Sequence, residues 1–520
     1  MKPAYNDLRE MVEKRAEENG DKIYIHFYDN AVTFHQFNER VNRFANGLKS
    51  LGVKKGDTVH IYMNNSPEFL YAALAANKLG AIAGPINCWW NSEEVKFLLN
   101  DSEGKYLVVE SAYYPNIEPI KPDLNYLKKI IYSGEDPPAG TVSYRELVNH
   151  SDMLENVKIS TEDAAYLFYT SGTTGKPKGA LLTHSNALYA VMGIRSVLHS
   201  DEEQGNEVAL IFLPLFHVNA MMSMISALYS GVTVTLRLTF SASEFGEVVE
   251  KYRATFFSGV PAIYNILTLL SDEIKKHDLS SLKFGVCGAA PLAEETFRKF
   301  ESTYGVDIIE GYGLTEGTVA STLNPLHGER KIGSIGKALP GQEVRVVDDS
   351  GKELPVNKLG ELVIRGGAVM KHYHKRPEET ASTIMNGWLH TGDIGYMDKD
   401  GYFYIVDRKK DLIIRGGENI YPKEIENVLY EYPKIMDAAV IGVHDIVMGE
   451  EAKAFIVLKP GESAGHEEIK TYLGSKLAAF KIPKYIEFID DLPKNIIGKV
   501  LKKELRAREK EKTIKEKKSE

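Results

Sequence analysis

Tyr169-Thr170-Ser171-Gly172-Thr173-Thr174-Gly175-Lys176-Pro177-Lys178-Gly179 is a glycine- and hydroxyl-rich stretch with two lysines, set between apolar segments. Ahead of it, residues 164–169 read Ala-Ala-Tyr-Leu-Phe-Tyr, which suits a buried strand. Behind it, Ala180-Leu181-Leu182 is apolar again, and residues 183–186 offer capping side chains before a helix at Ala187. Gly172, Gly175 and Gly179 let the backbone approach an anion and turn its N–H groups inward. Thr170, Ser171, Thr173 and Thr174 add hydroxyl donors, and Lys176 and Lys178 add charge. These are the ingredients of a polyphosphate cradle. No Gly-x-x-x-x-Gly-Lys-Ser/Thr string runs through the stretch, so it is not a Walker loop.

The 520 residues are enough for two to four domains or subdomains, and a hydrophobic content of 43% is ordinary for a globular protein. A net charge of -9 argues against nucleic acid as a partner. Cys88 and Cys287 stand far apart in the chain and read as reduced and buried, in a cytoplasmic protein. Residues 1–20 alternate charge and apolar character like a surface helix and lack a signal-peptide core. The richest apolar run, 70–90, is broken by Asn77, Lys78, Gly80, Gly84 and Pro85, so no transmembrane segment is expected. Residues 502–520 are dense in Lys and Glu and read as a helix fraying into a solvated tail. Peripheral membrane contact by that tail is the alternative, and its glutamates weigh against it.

Strand-like and helix-like segments alternate through the first part of the chain. Residues 23–27 and 32–34 flank Asp29-Asn30 as a hairpin, 35–50 has helical spacing, 58–62 is a strand, 67–79 a helix and 81–86 a strand. The rhythm returns with strands near 208–213, 232–236, 255–257 and 282–287. It implies parallel sheets covered by helices. From 333 to 406 short alternating segments (343–347, 361–364, 402–406) suggest a small β-rich subdomain. After Asp407-Arg408-Lys409-Lys410 a compact mixed unit follows, with helices near 422–430, 466–478 and 500–508 and strands near 438–443 and 454–457. The expected class is therefore α/β. A large N-terminal domain (1–408) holds two helix-covered sheets and the β-rich subdomain, and a small α+β C-terminal domain (409–520) follows.

The opening stretch resembles the signature loop of the adenylate-forming superfamily, which includes acyl-CoA synthetases, luciferases and peptide-synthetase adenylation domains. Further blocks match that superfamily in order along nearly the whole chain. Leu213-Pro214-Leu215-Phe216-His217-Val218-Asn219 resembles the block beside the carboxylate pocket, which gives His217 a catalytic role. Amino-acid-activating relatives usually carry Asp near it, and this chain has none there. Met221, Met222 and Met224 follow, and Met221 is assigned with His217 to an acyl pocket. Gly288-Ala289-Ala290-Pro291-Leu292 resembles the segment flanking adenine. In Glu310-Gly311-Tyr312-Gly313-Leu314-Thr315-Glu316 the resemblance implies that Tyr312 stacks on adenine, Thr315 bonds a phosphate and Glu316, with Thr170, holds magnesium. Acetate-using relatives tend to place an indole where this chain has Gly313, so Gly313 is expected to leave room for a longer acyl group.

In His390-Thr391-Gly392-Asp393 the resemblance gives Asp393 to the ribose hydroxyls, and Arg408 is the matched ribose-phosphate contact. Lys410 falls at the family's hinge, so the resemblance implies that the small C-terminal domain (409–520) is mobile, and Gly416, Gly417 and Glu418 resemble the lining of a pantetheine tunnel. Lys499, in Leu492-Pro493-Lys494-Asn495-Ile496-Ile497-Gly498-Lys499, matches the lysine that bridges substrate carboxylate and α-phosphate. Many relatives carry Ser or Thr where this chain has Ile497. The implied substrates are a carboxylic acid, ATP with Mg2+, and CoA. The leading reading is an acyl-CoA synthetase for a medium- or long-chain fatty acid. An aryl or other bulky carboxylate–CoA ligase, and an adenylating enzyme loading a carrier-protein thiol, stay open. So does the oligomeric state, a homodimer included. A non-catalytic nucleotide-binding scaffold would be expected to have lost some of Glu316, Asp393, Arg408 and Lys499, and all four are present.

Overall fold

The computed structural model describes residues 2–170, 177–198, 207–416, 418–445, 447–494 and 500–519. The chain divides into two compact units, 1–344 with 364–390, and 345–363 with 391–520. Residues 409 and 410 lie inside the second unit, in the short turn Lys409–Asp411.

The first unit holds two sheets. One runs in the order Lys337–Ala338, Thr322–Leu323, Asp307–Tyr312, Phe284–Cys287, Phe256–Gly259, Val208–Ile211, Thr233–Leu236, Ile23–Phe27, Asn30–Thr33. Its central neighbours are parallel, as the alternation of strand and helix requires. The other runs His372–Tyr373, Lys178–Thr183, Ala164–Thr170, Ile82–Pro85, Thr58–Tyr62, Tyr106–Glu110, Lys129–Ser133, Val142–Ser143. One hydrophobic core takes residues from both sheets, among them Ile25, Val234, Val59 and Tyr166. The helix Pro67–Lys78 buries every residue except Glu68, so it is apolar and alanine-rich all round. In the second unit, Phe403–Arg408 pairs with residues 393–397 in a β-rich sheet. A further sheet, in the order Glu418–Ile420, Ile413–Arg415, Gly449–Leu458, Ile435–Asp445, is packed by the helices Pro422–Tyr430 and His466–Gly474.

The α/β class and most elements agree with the sequence reading, and three boundaries are corrected. Phe34 opens the helix Phe34–Ser50 instead of closing a strand, because Thr33 and Gln36 form a reciprocal capping box. The helix expected over 466–478 stops at Gly474. The last helix runs Lys502–Ser519, longer than the 500–508 expected. Among the described residues, no helix is long and apolar enough to cross a membrane.

Two buried polar groups show how the first unit tolerates charge. Lys78 is fully buried, with its ammonium 2.5 Å from Asn38 Oδ1, 2.8 Å from Asn42 Oδ1 and 3.3 Å from Glu13. Burial lowers its pKa to about 8. His60 is also fully buried, with Nδ1 2.9 Å from the Gly84 carbonyl and Nε2 2.7 Å from Ser102 Oγ. Those partners suit a neutral ring that donates from Nδ1 and accepts at Nε2. Burial lowers the His60 pKa from 6.5 to about 4. Between those values the unfolded chain holds a proton that the folded chain refuses, so acidification favours unfolding. Chemical denaturation at pH 7 and pH 4.5 should show a fall in stability, of which His60 supplies on the order of 2 kcal/mol. A His60→Gln variant should lose less between the two pH values; a variant with the wild-type loss would refute this account of His60.

Candidate active site

The glycine-rich stretch closes a β-hairpin. Ala164–Thr170 pairs antiparallel with Lys178–Thr183, with Tyr169 opposite Gly179 and Thr170 opposite Lys178. Thr170 Oγ1 reaches the Lys178 carbonyl at 3.5 Å. Ser171, Gly172, Thr173, Thr174, Gly175 and Lys176 lie outside the described residues. The second strand leads straight into the helix His184–Leu198. Thr183 and Asn186 cap that helix reciprocally at 2.9 and 3.0 Å, and the Asn186 amide also donates to the Gly367 and Val369 carbonyls at 2.8 Å.

The root of the hairpin is clamped from two sides. Tyr169 donates its hydroxyl to Asp101 at 2.8 Å, and Arg376 pairs with the other oxygen of Asp101. The short strand His372–Tyr373 adds to the hairpin edge, with His372 opposite Leu181 and Tyr373 opposite Ala180. The His374 N–H donates to the Gly179 carbonyl at 2.7 Å. Tyr373 then faces two predicted site residues. Its ring centroid lies 5.4 Å from the Lys178 ammonium, and its hydroxyl donates to Glu316 Oε1 at 2.6 Å. Burial, reinforced by the charge of Glu316, pushes the Tyr373 phenol pKa well up, so it stays a donor.

Glu316 sits in the tight turn Thr315–Gly317. The turn is held by Gly317 N–H to Leu314 O at 3.0 Å, Thr318 N–H to Thr315 O at 3.0 Å and Met370 N–H to Glu316 O at 2.7 Å. Thr318 and Val319 follow with φ of 51° and 79°, a region that β-branched residues rarely enter. Strain of this kind gathers at ligand clamps. Among the described residues, the second oxygen of Glu316 takes no hydrogen bond or ion pair. No group of three or more His, Cys, Asp or Glu gathers among the described residues. A hard divalent cation needs only one or two protein oxygens when phosphates supply the rest. Glu316 therefore fits such a cation.

A Cβ at Gly313 would lie 1.6 Å from the Val319 carbonyl oxygen and 2.8 Å from Ala320 Cα. It is this close approach of the strained turn that demands glycine. Gly288, Ala289 and Ala290 follow the strand Phe284–Cys287. Gly288 faces the Gly311 carbonyl, Ala289 takes a φ of 69°, and Ala289 and Ala290 are exposed. The strand Phe284–Cys287 that they follow pairs in parallel with Asp307–Tyr312, which Tyr312 ends.

His217 precedes the helix Val218–Ser230, and its carbonyl accepts from Met221 N–H at 3.1 Å. Its ring packs on Phe216, with centroids 4.6 Å apart, and on Trp89 at 5.8 Å. Nε2 is buried with no partner among the described residues. Burial lowers the His217 pKa to about 4, so the imidazole is neutral near pH 7. Met221, Met222 and Met224 are all fully buried in the main core.

In the second unit Asp393 and Arg408 stand opposite each other on paired strands, and Arg408 Nε lies 2.8 Å from Asp393 Oδ1. Asp393 is buried, so the guanidinium fixes the carboxylate's orientation. The Lys410 side chain, Gly417 and Lys499 lie outside the described residues. Gly416 has a φ of 58° at the turn between Ile413–Arg415 and Glu418–Ile420, and its N–H donates to Met448 O at 2.8 Å. Glu418 is exposed beside it. Lys494 and Val500 form a bridge, and Lys494 is held 2.5 Å from Asp437.

Sequence reasoning missed Tyr373, Asp101, Arg376 and Trp89. The run Lys371-His372-Tyr373-His374-Lys375-Arg376 before Pro377 is basic and aromatic, and it was the available signal. Residues 12–374 match the model of the AMP-binding enzyme family, and residues 424–499 match that of the AMP-binding enzyme C-terminal domain. A long-chain-fatty-acid–CoA ligase of Bacillus subtilis (strain 168) is 34% identical, over 96% of this chain and 94% of its own. A feruloyl-CoA synthase of Amycolatopsis sp is 36% identical, over 95% and 97%. The crystal structure of an anthranilate CoA ligase in complex with anthranoyl-AMP superposes with a TM-score of 0.89 at 31% identity, covering 98% of this chain and 99% of that one. The chain belongs to the AMP-binding enzyme family, as an adenylate-forming acid–thiol ligase.

Proposed function

We propose that this protein is an ATP-dependent acyl-CoA synthetase that activates a medium- or long-chain fatty acid as an acyl adenylate and passes it to CoA. The observation that carries the nucleotide half is the Glu316 carboxylate, gripped by Tyr373 next to Lys178 at the root of the hairpin. A carboxylate with an open oxygen beside an ammonium suits a triphosphate and its cation. Mg2+ would be held by Glu316, with Thr170 as a second oxygen, and would supply charge neutralisation to the phosphates. The hydroxyls and N–H groups of 170–175, with Lys176 and Lys178, hold the phosphates, and Thr315 bonds one of them. Gly288, Ala289, Ala290, Gly311 and Tyr312 take the adenine. Asp393 accepts from the ribose hydroxyls with Arg408 behind it.

The acid and ATP are both anions, so alignment and positive charge set the rate of the first step. The carboxylate oxygen attacks the α-phosphorus and pyrophosphate leaves. Lys499 neutralises the point of attack. The CoA thiol then attacks the acyl carbon along Gly416, Gly417 and Glu418, and AMP leaves. The residues from 409 onward turn about Lys409–Lys410 between the two steps. The wall for the acid is aromatic and uncharged: Phe216, Trp89 and the neutral ring of His217. That wall, with no Asp in 213–219, suits an apolar acid. The same aromatic faces favour the second reading, an aryl carboxylate, as do relatives named for feruloyl and anthranilate substrates.

A panel of straight-chain, cinnamate-type and benzoate-type acids, assayed with ATP with and without CoA, should give the highest kcat/KM for medium or long straight chains. A preference for cinnamates or benzoates would replace the first reading by the second, and AMP without thioester would remove CoA from both. Lys499→Ala should lower ATP–pyrophosphate exchange by about 100-fold or more and leave thioester formation from supplied acyl-AMP near wild type. Equal losses in both half-reactions from a folded variant would refute the role of Lys499.

A further inference from the structure

We propose that Tyr373 is a positioning residue for the divalent cation. It fixes the Glu316 carboxylate through its hydroxyl and couples that carboxylate to the phosphate-loop hairpin through its ring and backbone. The inference rests on the reading of Glu316 as the cation's protein ligand. Three contacts of one residue carry it. The phenol donates to Glu316 Oε1 at 2.6 Å and so engages one oxygen of the carboxylate. The second oxygen is the one left to face a cation. The face of the same ring lies 5.4 Å from the Lys178 ammonium, within the range of a cation–π contact. The backbone pairs Tyr373 with Ala180, two residues along from Lys178 on the same strand.

Tyr373 is itself held. Its N–H donates to Thr380 Oγ1 at 3.0 Å, and Thr380 Oγ1 donates to the Arg376 carbonyl at 2.7 Å. The residue is 8% exposed. On the other side, Met370 N–H holds the Glu316 carbonyl at 2.7 Å, and Thr318 Oγ1 donates to Ala368 O at 2.6 Å. The segment 368–373 thus fastens both ends of the arrangement, the acid's turn and the hairpin strand. A lone glutamate in a strained turn has several rotamers available. The phenol selects one, as partners behind metal-binding carboxylates do.

The test uses the full-length protein and Tyr373→Phe, which keeps the ring over Lys178 and removes only the hydroxyl. The readout is the ratio of ATP dissociation constants measured by calorimetry without and with Mg2+. For the wild type, Mg2+ should tighten ATP; for Tyr373→Phe the ratio should fall by about 10-fold or more. Thioester formation from supplied acyl-AMP and CoA should stay within about twofold, because no triphosphate is handled in that step. In a Glu316→Gln background, adding Tyr373→Phe should produce no further change in the ratio. A Tyr373→Phe ratio equal to wild type overturns the proposal, as does an additive effect in the Glu316→Gln background. A loss shared equally by both half-reactions overturns it too, since that is the mark of a structural role. A wild type whose ATP affinity ignores Mg2+ would instead sink the reading of Glu316, and this inference with it.

Discussion

Antiparallel pairing between Ala164–Thr170 and Lys178–Thr183 fixes the two ends of the stretch that, on the proposed reading, receives the phosphates. Those ends are clamped by Asp101 with Arg376 on Tyr169, and by the strand His372–Tyr373 on Ala180 and Leu181. Everything else in the first unit's site is referenced to that root. Glu316 is placed by Tyr373, the helix His184–Leu198 is capped at its entry, and the cap is tied to Gly367 and Val369.

The second unit uses the same physical device with opposite charges. Arg408 holds Asp393 in one orientation, as Tyr373 holds Glu316. In both places a carboxylate that the proposed reading gives to a ligand is first engaged by a donor of the chain itself. A carboxylate left alone would be free to rotate; a hydrogen-bonded one keeps its direction. The cost is that one oxygen is committed, so each acid offers its ligand less than its full acceptor capacity. On the proposed reading, that suits a cation whose remaining ligands come from phosphate, and a ribose that needs hydrogen bonds and no ion pair.

The sequence was most legible where local rules act alone. The helix Pro422–Tyr430 and the strand Thr58–Tyr62 follow from proline position and from a short apolar run between turns. The hairpin loop and the acidic turn were legible through a resemblance, because their residue order is particular. What was not legible was anything decided by distant backbone. The approach of Val319 and Ala320 to Gly313, from six and seven residues on, is set by the turn and not by the motif. Met221 lies in a core to which both sheets contribute. Tyr373 is a further case: an aromatic in a basic run carries no chemistry until the topology sets it beside Glu316, 57 residues earlier in the chain.

The uncharged character of His217 bears on how binding energy is used. With its pKa lowered to about 4, the ring offers hydrogen bonding but no net charge near pH 7. A protonated ring would attract the substrate carboxylate strongly in the ground state, and that attraction would deepen the well from which the reaction has to climb. On the proposed reading, a neutral ring against Phe216 and Trp89 instead holds the acid by its apolar body. On the proposed reading, the positive charge that matters arrives with Lys499, at the carbon–oxygen–phosphorus junction and only when the lobe is turned for adenylation. Charge supplied late and locally stabilises the transition state in preference to the bound acid. The burial that keeps His217 neutral and the placement of the lysine on a separate unit are then two halves of one arrangement.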